Sequence, residues 1–358
     1  MTDLTILKST IEAIRPASAQ TLQEAMAAMA DKVKPLGSLG HLEDIATRIA
    51  SLRGRVDLPE PTPAVVVCAA DHGVASQGVS AFPQAVTGLM LTAFGSGGAA
   101  VAVLSRAAGA RLVVADLGVI DPPAVPSLLD RSVRPGTADS ALEPAMTVAE
   151  ATLALEHGIG IAHELIDDGV DLIALGEMGI GNTTTASALT AALLGCDAAA
   201  TCGRGTGLDD VQVAHKVSVV DQILARHATS GVSNDPLATL ASIGGLEVAA
   251  LAGVVLGAAE RRIPVLVDGF ITGAAALVAA RLAPASTDAM IAAHLSPEPG
   301  HALQLAALGL RPLLDLEMRL GEGSGAALAI NLVRSAIAVL TEMATFASLG
   351  PAETSPVA

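Results

Sequence analysis

The sequence predicts an α/β protein: a doubly wound, mostly parallel sheet in three α/β/α layers, with a small helical subdomain beside it. Three observations predict this class. Short apolar runs recur without alternating, as buried parallel strands do when helices cover both sheet faces. A longer Ala-rich segment follows each run, and the repeated β-then-α order belongs to a doubly wound sheet. The two ends of the chain lack such runs and read as helical throughout.

Taken in order, residues 1–50 are expected to be helical. The first strand is AVVVCAA from Ala64 and the second RLVVADLG from Arg111, with Pro-rich connectors at 58–63 (LPEPTP) and 120–126 (IDPPAVP). A helix over 147–168 leads to a third strand, DLIALG from Asp171, followed by helices over 182–194, 209–227 and 245–261. The fourth strand is IPVLVDG from Ile263, the next helix spans 270–283, and the fifth strand is AMIAAHL from Ala289. Several of these helices end near Gly or Pro, residues that stop helices. A last helical segment runs over about 323–347, and its packing against 1–50 would make a subdomain of 1–50 plus about 323–358 beside a large domain of about 60–322. The terminal ETSPVA reads as a frayed tail.

Length and composition narrow the function. The chain has 358 residues, enough for a substantial core, and a formal net charge of −16 with neither Trp nor Tyr. Such a surface repels nucleic acid and anionic membranes and lacks rings to stack on bases, so no nucleic-acid partner is expected. Cys68, Cys196 and Cys202 are odd in number and lack ligand spacing, which points to a reducing cytoplasm rather than a disulfide framework or zinc site. The N-terminus carries no basic start with an apolar signal core, and the charge-free apolar run at 248–259 is too short to span a bilayer. A soluble protein without a membrane partner is expected.

In open parallel sheets, ligands bind beyond the carboxyl ends of the strands. Four polar clusters fall there: DHG at Asp71, GEMGIGN from Gly176, DGF at Asp268 and HLSPEPGH at 294–301. In GIGNTT, Gly179 and Gly181 permit unusual backbone angles and Asn182 is a good N-cap. The amides of this turn from Ile180, with the hydroxyls of Thr183 and Thr184, can converge on a phosphate at a helix start, or simply cap that helix. A second turn, GRGTGLDD at 203–210, brings Gly203, Arg204 and Gly205, with Lys216 in the helix beyond. In RLGEGSGAALA, Glu322 stands between two glycines before a long apolar helix. It either caps that helix or presents an unshielded carboxylate to a ligand. His72, His215, His294 and His301 show no HxH, HExxH or DxD spacing, so no metal is expected.

Six segments taken together, KPLGSLGHLE (34–43), AADHGV with GVSAFPQAVT (69–87), GEMGIGNTT (176–184), GRGTGLDD (203–210), VDGF (267–270) and MRLGEGSGAALA (318–329), closely resemble the nicotinate-nucleotide–dimethylbenzimidazole phosphoribosyltransferase family. They follow the family order across most of the chain. The resemblance implies a Rossmann-like large domain with a small helical one and a homodimer. It also implies transfer of phosphoribose from nicotinate mononucleotide to 5,6-dimethylbenzimidazole, without a cofactor or metal. Carried over residue by residue, it makes Glu322 the catalytic base rather than Glu317, and places Glu177, Lys216 and Asp268 in the active site. The nucleotide and its phosphate fall to Gly179, Ile180, Gly181, Asn182, Thr183, Thr184, Gly203, Arg204 and Gly205. The base falls to Ser80, Phe82, Pro83, Gln84, Leu89, Met90 and Leu320. The chain departs from the family at VTGLMLTAF (86–94), where Leu89 and Ala93 replace polar side chains and leave the preferred base open.

Overall fold

The computed structural model describes residues 6–228 and 235–349. The first five residues and 350–358, which include the expected tail, lie outside the described residues. Helices α1 (Ile6–Ala13), α2 (Ala19–Ala30) and α3 (His41–Arg53) precede strand β1 (Pro63–Ala70). Then come α4 (Val86–Gly95), α5 (Ala100–Ala107), β2 (Arg111–Gly118) and a short β3 (Leu128–Asp130). The long α6 (Val148–Asp167) leads to β4 (Leu172–Met178). After β4 the chain forms α7 (Asn182–Leu194), α8 (Ala198–Thr201), α9 (Asp210–Ala228), α10 (Pro236–Ile243) and α11 (Leu246–Glu260). It continues through β5 (Val265–Val267), α12 (Phe270–Leu282), β6 (Met290–Ala292), α13 (Pro299–Leu308) and α14 (Ser324–Glu342). The start expected at 147 is set by a capping box: the Glu150 N–H donates to Thr147 Oγ1 at 3.1 Å while the Glu150 carboxylate accepts the Thr147 N–H at 2.8 Å.

The six strands are all parallel, in the order β3-β2-β1-β4-β5-β6. All eight residues of β1 are buried, and they divide by parity. Val65, Val67 and Ala69 join a core with α2, α3, α5 and α14, whereas Ala64, Val66, Cys68 and Ala70 join one with α6, α11 and α12. Two buried faces explain why the strand runs do not alternate. The Ala-rich helices offer little apolar area per residue, and close approach makes up for it through dispersion. A Cβ at Gly158 of α6 would lie 1.8 Å from the Ala250 carbonyl oxygen of α11, so these helix backbones nearly touch.

Helices from the first and last parts of the described chain meet on one sheet face. Helices α2, α3 and α14 pack on one another, and the N–H groups of Val33 and Phe346 donate to Ala344 O and Asp31 O at 3.0 and 2.9 Å. Helix α1 packs on α6 and α11 over the other face. Although α14 is long and apolar enough to cross a bilayer, it buries Ala326, Ile330 and Val333 in the core. Between β1 and β4 the strand order reverses, which opens a crevice at their carboxyl ends. Asp71 and His72 follow β1, Glu177 ends β4, Asp268 follows β5 and His294 follows β6, so one edge of the sheet gathers them.

Candidate active site

A cavity of about 390 Å³ opens at this edge. Four carboxylates line it, from Glu177, Asp268, Glu298 and Glu322, together with His294 and Arg319. Phe82, Val86, Met90 and Leu320 supply apolar wall, and Gly179, Ile180, Asn182 and Thr183 contribute the turn after β4.

Glu177 is buried, and both its oxygens are held. Oε1 accepts the Glu322 N–H at 3.2 Å and Oε2 accepts the side-chain amide of Asn182. Burial pushes its pKa up to about 8, helped by the nearby Asp268 and Glu247 charges and opposed by the two hydrogen bonds. Asn182 therefore does not cap α7 as the sequence suggests. Gly181, at φ +97°, takes the N-cap position, which frees the Asn182 amide to turn back onto Glu177.

Glu322 has φ +63° between Gly321 at +79° and Gly323 at +90°, a left-handed run that costs a side-chain-bearing residue about 1–2 kcal/mol. The run is forced by a crossing of loops. A Cβ at Gly176 would lie 2.3 Å from Glu322 O, and one at Gly321 would lie 2.3 Å from Glu177 Oε1, so the two loops interlock only because these positions are bare. The Glu322 carboxylate is buried, which raises its pKa, and the Val101 backbone N–H at the start of α5 opposes that rise. Among the described residues its Oε2 has no hydrogen-bond partner. The capping role that the sequence allows Glu322 on α14 belongs to Asp268, whose Oδ1 accepts the Ala326 N–H at 2.7 Å. Burial pushes the Asp268 pKa up to about 6, opposed by His294, whose Nε2 lies 3.8 Å away.

The turn after β4 is less open than its sequence implies. The Ile180 N–H donates to Thr87 Oγ1 at 3.2 Å, the Asn182 N–H to Gly179 O at 3.1 Å and the Thr184 N–H to Gly181 O at 3.0 Å. Those three amides are used within the protein, and Gly181 and Thr184 lie behind the wall. Thr183 faces the cavity and accepts from Lys216 Nζ at 2.9 Å. Lys216 is fully buried beneath Thr183 and the Gly203 carbonyl, and burial lowers its pKa; it supports the wall without being part of it.

Several expected residues stand outside the wall. Arg204 is drawn away to Leu208 O and to Asp210. The Gly205 N–H donates to Glu298 Oε1 at 2.8 Å, and the bare Cα of Gly203 leaves room for Glu298 Oε2. Ser80 bonds Thr206 at 3.3 Å, while Pro83 and Gln84 only lead into α4. Leu89, 67 % exposed, points to solvent from the same helix that turns Val86 and Met90 inward. Conversely, sequence reasoning missed Val86, Met178, Thr206, Phe270, Ile271, Thr272, Ser296, Glu298 and Arg319 as wall residues. All but Ile271 and Thr272 lie inside a motif segment already noted, so the segments were legible and the side chains that face the cavity within them were not.

The histidines expected not to bind metal are engaged separately. His215 Nε2 bonds Gln77 O at 2.7 Å, and His301 Nδ1 accepts the Ser296 N–H at 2.9 Å. Among the described residues, no three His, Cys, Asp or Glu side chains are grouped as metal ligands.

A doubly wound parallel sheet with a carboxylate-lined cavity at its switch point defines the class: an α/β protein whose candidate site lies at the carboxyl ends of the strands. A phosphoribosyltransferase family model matches residues 14–350. Chloroflexus aggregans nicotinate-nucleotide–dimethylbenzimidazole phosphoribosyltransferase is 52% identical over 351 residues, 98% of this chain and 99% of the relative. The protein of that name from Roseiflexus sp. (strain RS-1) is 48% identical over 348 residues, covering 97% of this chain and 98% of its own. The crystal structure of CobT from Thermus thermophilus superposes with a TM-score of 0.89 at 47% identity, over 93% of this chain and 99% of that one. The chain belongs to the nicotinate-nucleotide–dimethylbenzimidazole phosphoribosyltransferase family.

Proposed function

We propose that this enzyme transfers the 5-phosphoribosyl group of nicotinate mononucleotide to 5,6-dimethylbenzimidazole. The products are nicotinate and α-ribazole 5′-phosphate, the nucleotide of the cobalamin lower ligand. One benzimidazole nitrogen attacks C1′ from the face opposite nicotinate, inverting β to α. The C1′–N bond breaks with its electron pair passing to the pyridine nitrogen, so the cationic pyridinium supplies its own leaving-group activation. The other benzimidazole N–H becomes acidic as the new bond forms, and the Glu322 carboxylate takes that proton. The observation that carries this reading is Glu322, which lines the cavity and whose buried Oε2 has no hydrogen-bond partner among the described residues.

Glu177 faces the ribose in this scheme. A neutral acid in the empty site, it ionises as the cationic donor enters, because a nearby positive charge favours the carboxylate. Thr183 meets the 5′-phosphate, and Phe82, Val86, Met90 and Leu320 enclose the base. The working form is a homodimer in the cytoplasm; exposed Phe82, Leu89 and Leu320 near the cavity mouth offer apolar surface to a second copy, and three unpaired cysteines suit a reducing compartment. Incubation with nicotinate mononucleotide and a panel of bases, with products identified by mass and anomeric configuration, tests the reading. A β-configured product, or none, would overturn it.

A further inference from the structure

His72 immediately follows β1, is wholly buried and lies outside the cavity wall, yet it touches what the wall is built on. Its Nε2 is 2.8 Å from Glu247 Oε1 at the start of α11, and its Nδ1 is 3.0 Å from Thr185 Oγ1 in the first turn of α7. Three glycines enclose the ring. A Cβ at Gly179 would lie 3.0 Å from Nε2, one at Gly181 3.3 Å from the His72 Cβ, and one at Gly245 2.4 Å from Cε1. Gly179 and Gly181 belong to the cavity turn, so the imidazole is the floor on which that turn rests.

We infer that His72, clamped between Glu247 and Thr185, is a positioning residue that sets the Gly179–Thr183 turn and thereby the affinity for the nucleotide's 5′-phosphate. Either arrangement of protons serves this purpose. With a neutral ring, Nε2–H donates to Glu247 and Nδ1 accepts the Thr185 hydroxyl; with a charged ring, both nitrogens donate. In both cases the ring plane is fixed at two points and the glycines above it have one place to lie. A buried carboxylate left without this partner would carry a large penalty, so the pair holds itself in register. This inference rests on the phosphoribosyl-transfer reading above, because it names the nucleotide as the ligand the turn receives.

The test uses the full chain and Thr185→Val, which keeps side-chain volume while deleting the hydroxyl, with Thr185→Ser as the conservative control. Thr185→Val is expected to raise KM for nicotinate mononucleotide about five- to tenfold, with kcat and KM for dimethylbenzimidazole within twofold of wild type. Thr185→Ser restores the wild-type KM. His72→Gln, which reaches Glu247 only, gives the same split and is less damaging in a Glu247→Gln background, since no buried carboxylate is then stranded. A shift in melting temperature alone, or equal rises in both KM values, overturns the inference. Calorimetry separates it from the reading beneath it. Wild type that binds no nicotinate mononucleotide sinks both, whereas wild type and Thr185→Val binding it equally sink the positioning role alone.

Discussion

The backbone N–H of Glu322 donates to Glu177 Oε1 at 3.2 Å, so the loop before α14 hangs on the end of β4 by a bond between two carboxylate-bearing residues that line the cavity. A change at one is felt at the other.

Glu322→Gln keeps the shape of the side chain and removes its basicity. Turnover is expected to fall roughly 100- to 10,000-fold, the range a general base supplies, with little change in affinity for either substrate. Glu317→Gln, at an exposed position off the cavity wall, should leave turnover near wild type. Steady-state product formation by both variants checks the choice of carboxylate, and the reverse pattern would refute it.

Glu177 also makes stability depend on pH. Its folded pKa is raised from an ordinary value of 4.5 to about 8, so between those limits the folded state holds a proton that the unfolded state has released. Stability from this group is complete below the ordinary value and is lost progressively as pH rises to about 8. Asp268, raised from 3.8 to about 6, acts with the same sign over a lower window. Thermal melts of the ligand-free protein from pH 5 to 8.5 should show a decline that is shallower in Glu177→Gln.

Thr183 and Asn182 are neighbours with separable roles. Thr183→Ala should weaken nicotinate mononucleotide by several-fold while sparing the riboside that lacks the phosphate. Asn182→Ala releases Glu177 and should affect both ligands alike. Calorimetric titration of the two variants with both ligands gives the comparison. Identical profiles would mean that neither residue distinguishes the phosphate.

In the proposed scheme the base lies against Phe82, Val86, Met90 and Leu320, the apolar part of the cavity wall. Each buried methyl-sized group gains about 0.8 kcal/mol, so dimethylbenzimidazole should outcompete benzimidazole by a modest factor. Burial of the exocyclic amine of adenine without a partner costs roughly 1–3 kcal/mol, placing adenine last. Equal concentrations of two bases in one reaction decide the order, and comparable amounts of the adenine and dimethylbenzimidazole products would exclude a dry pocket.

Most of the framework was legible because parallel strands write themselves as unbroken apolar runs. Five of the six strands carry such a run; β3, three residues after a Pro-rich connector, is too short to leave a pattern and exists because β2 offers it an edge. Glycine-rich turns were legible as places where ligands approach, since φ and space leave a mark on residue type. The direction of a side chain leaves none. The Asn182 amide points to Glu177 and Lys216 points beneath Thr183 because of contacts between segments distant in sequence or across a turn. Propensity correctly gives Asn182 to a helix start, and the carboxylate five residues earlier then draws its amide away from the helix. Leu89 and Met90 are adjacent letters, yet helical rotation sends one to solvent and the other to the cavity.

The left-handed backbone at Glu322 means that this protein is not at its own stability optimum. A glycine there would lose the torsional penalty, and removing a buried carboxylate oxygen without a partner would relieve a desolvation cost as well. Glu322→Gly should therefore melt no lower than wild type, and even higher, while forming no product. Selection for thermal robustness alone would drift towards that inert variant, so a library screened only for melting temperature would enrich dead enzyme at position 322, and screens on this scaffold need an activity gate at that codon.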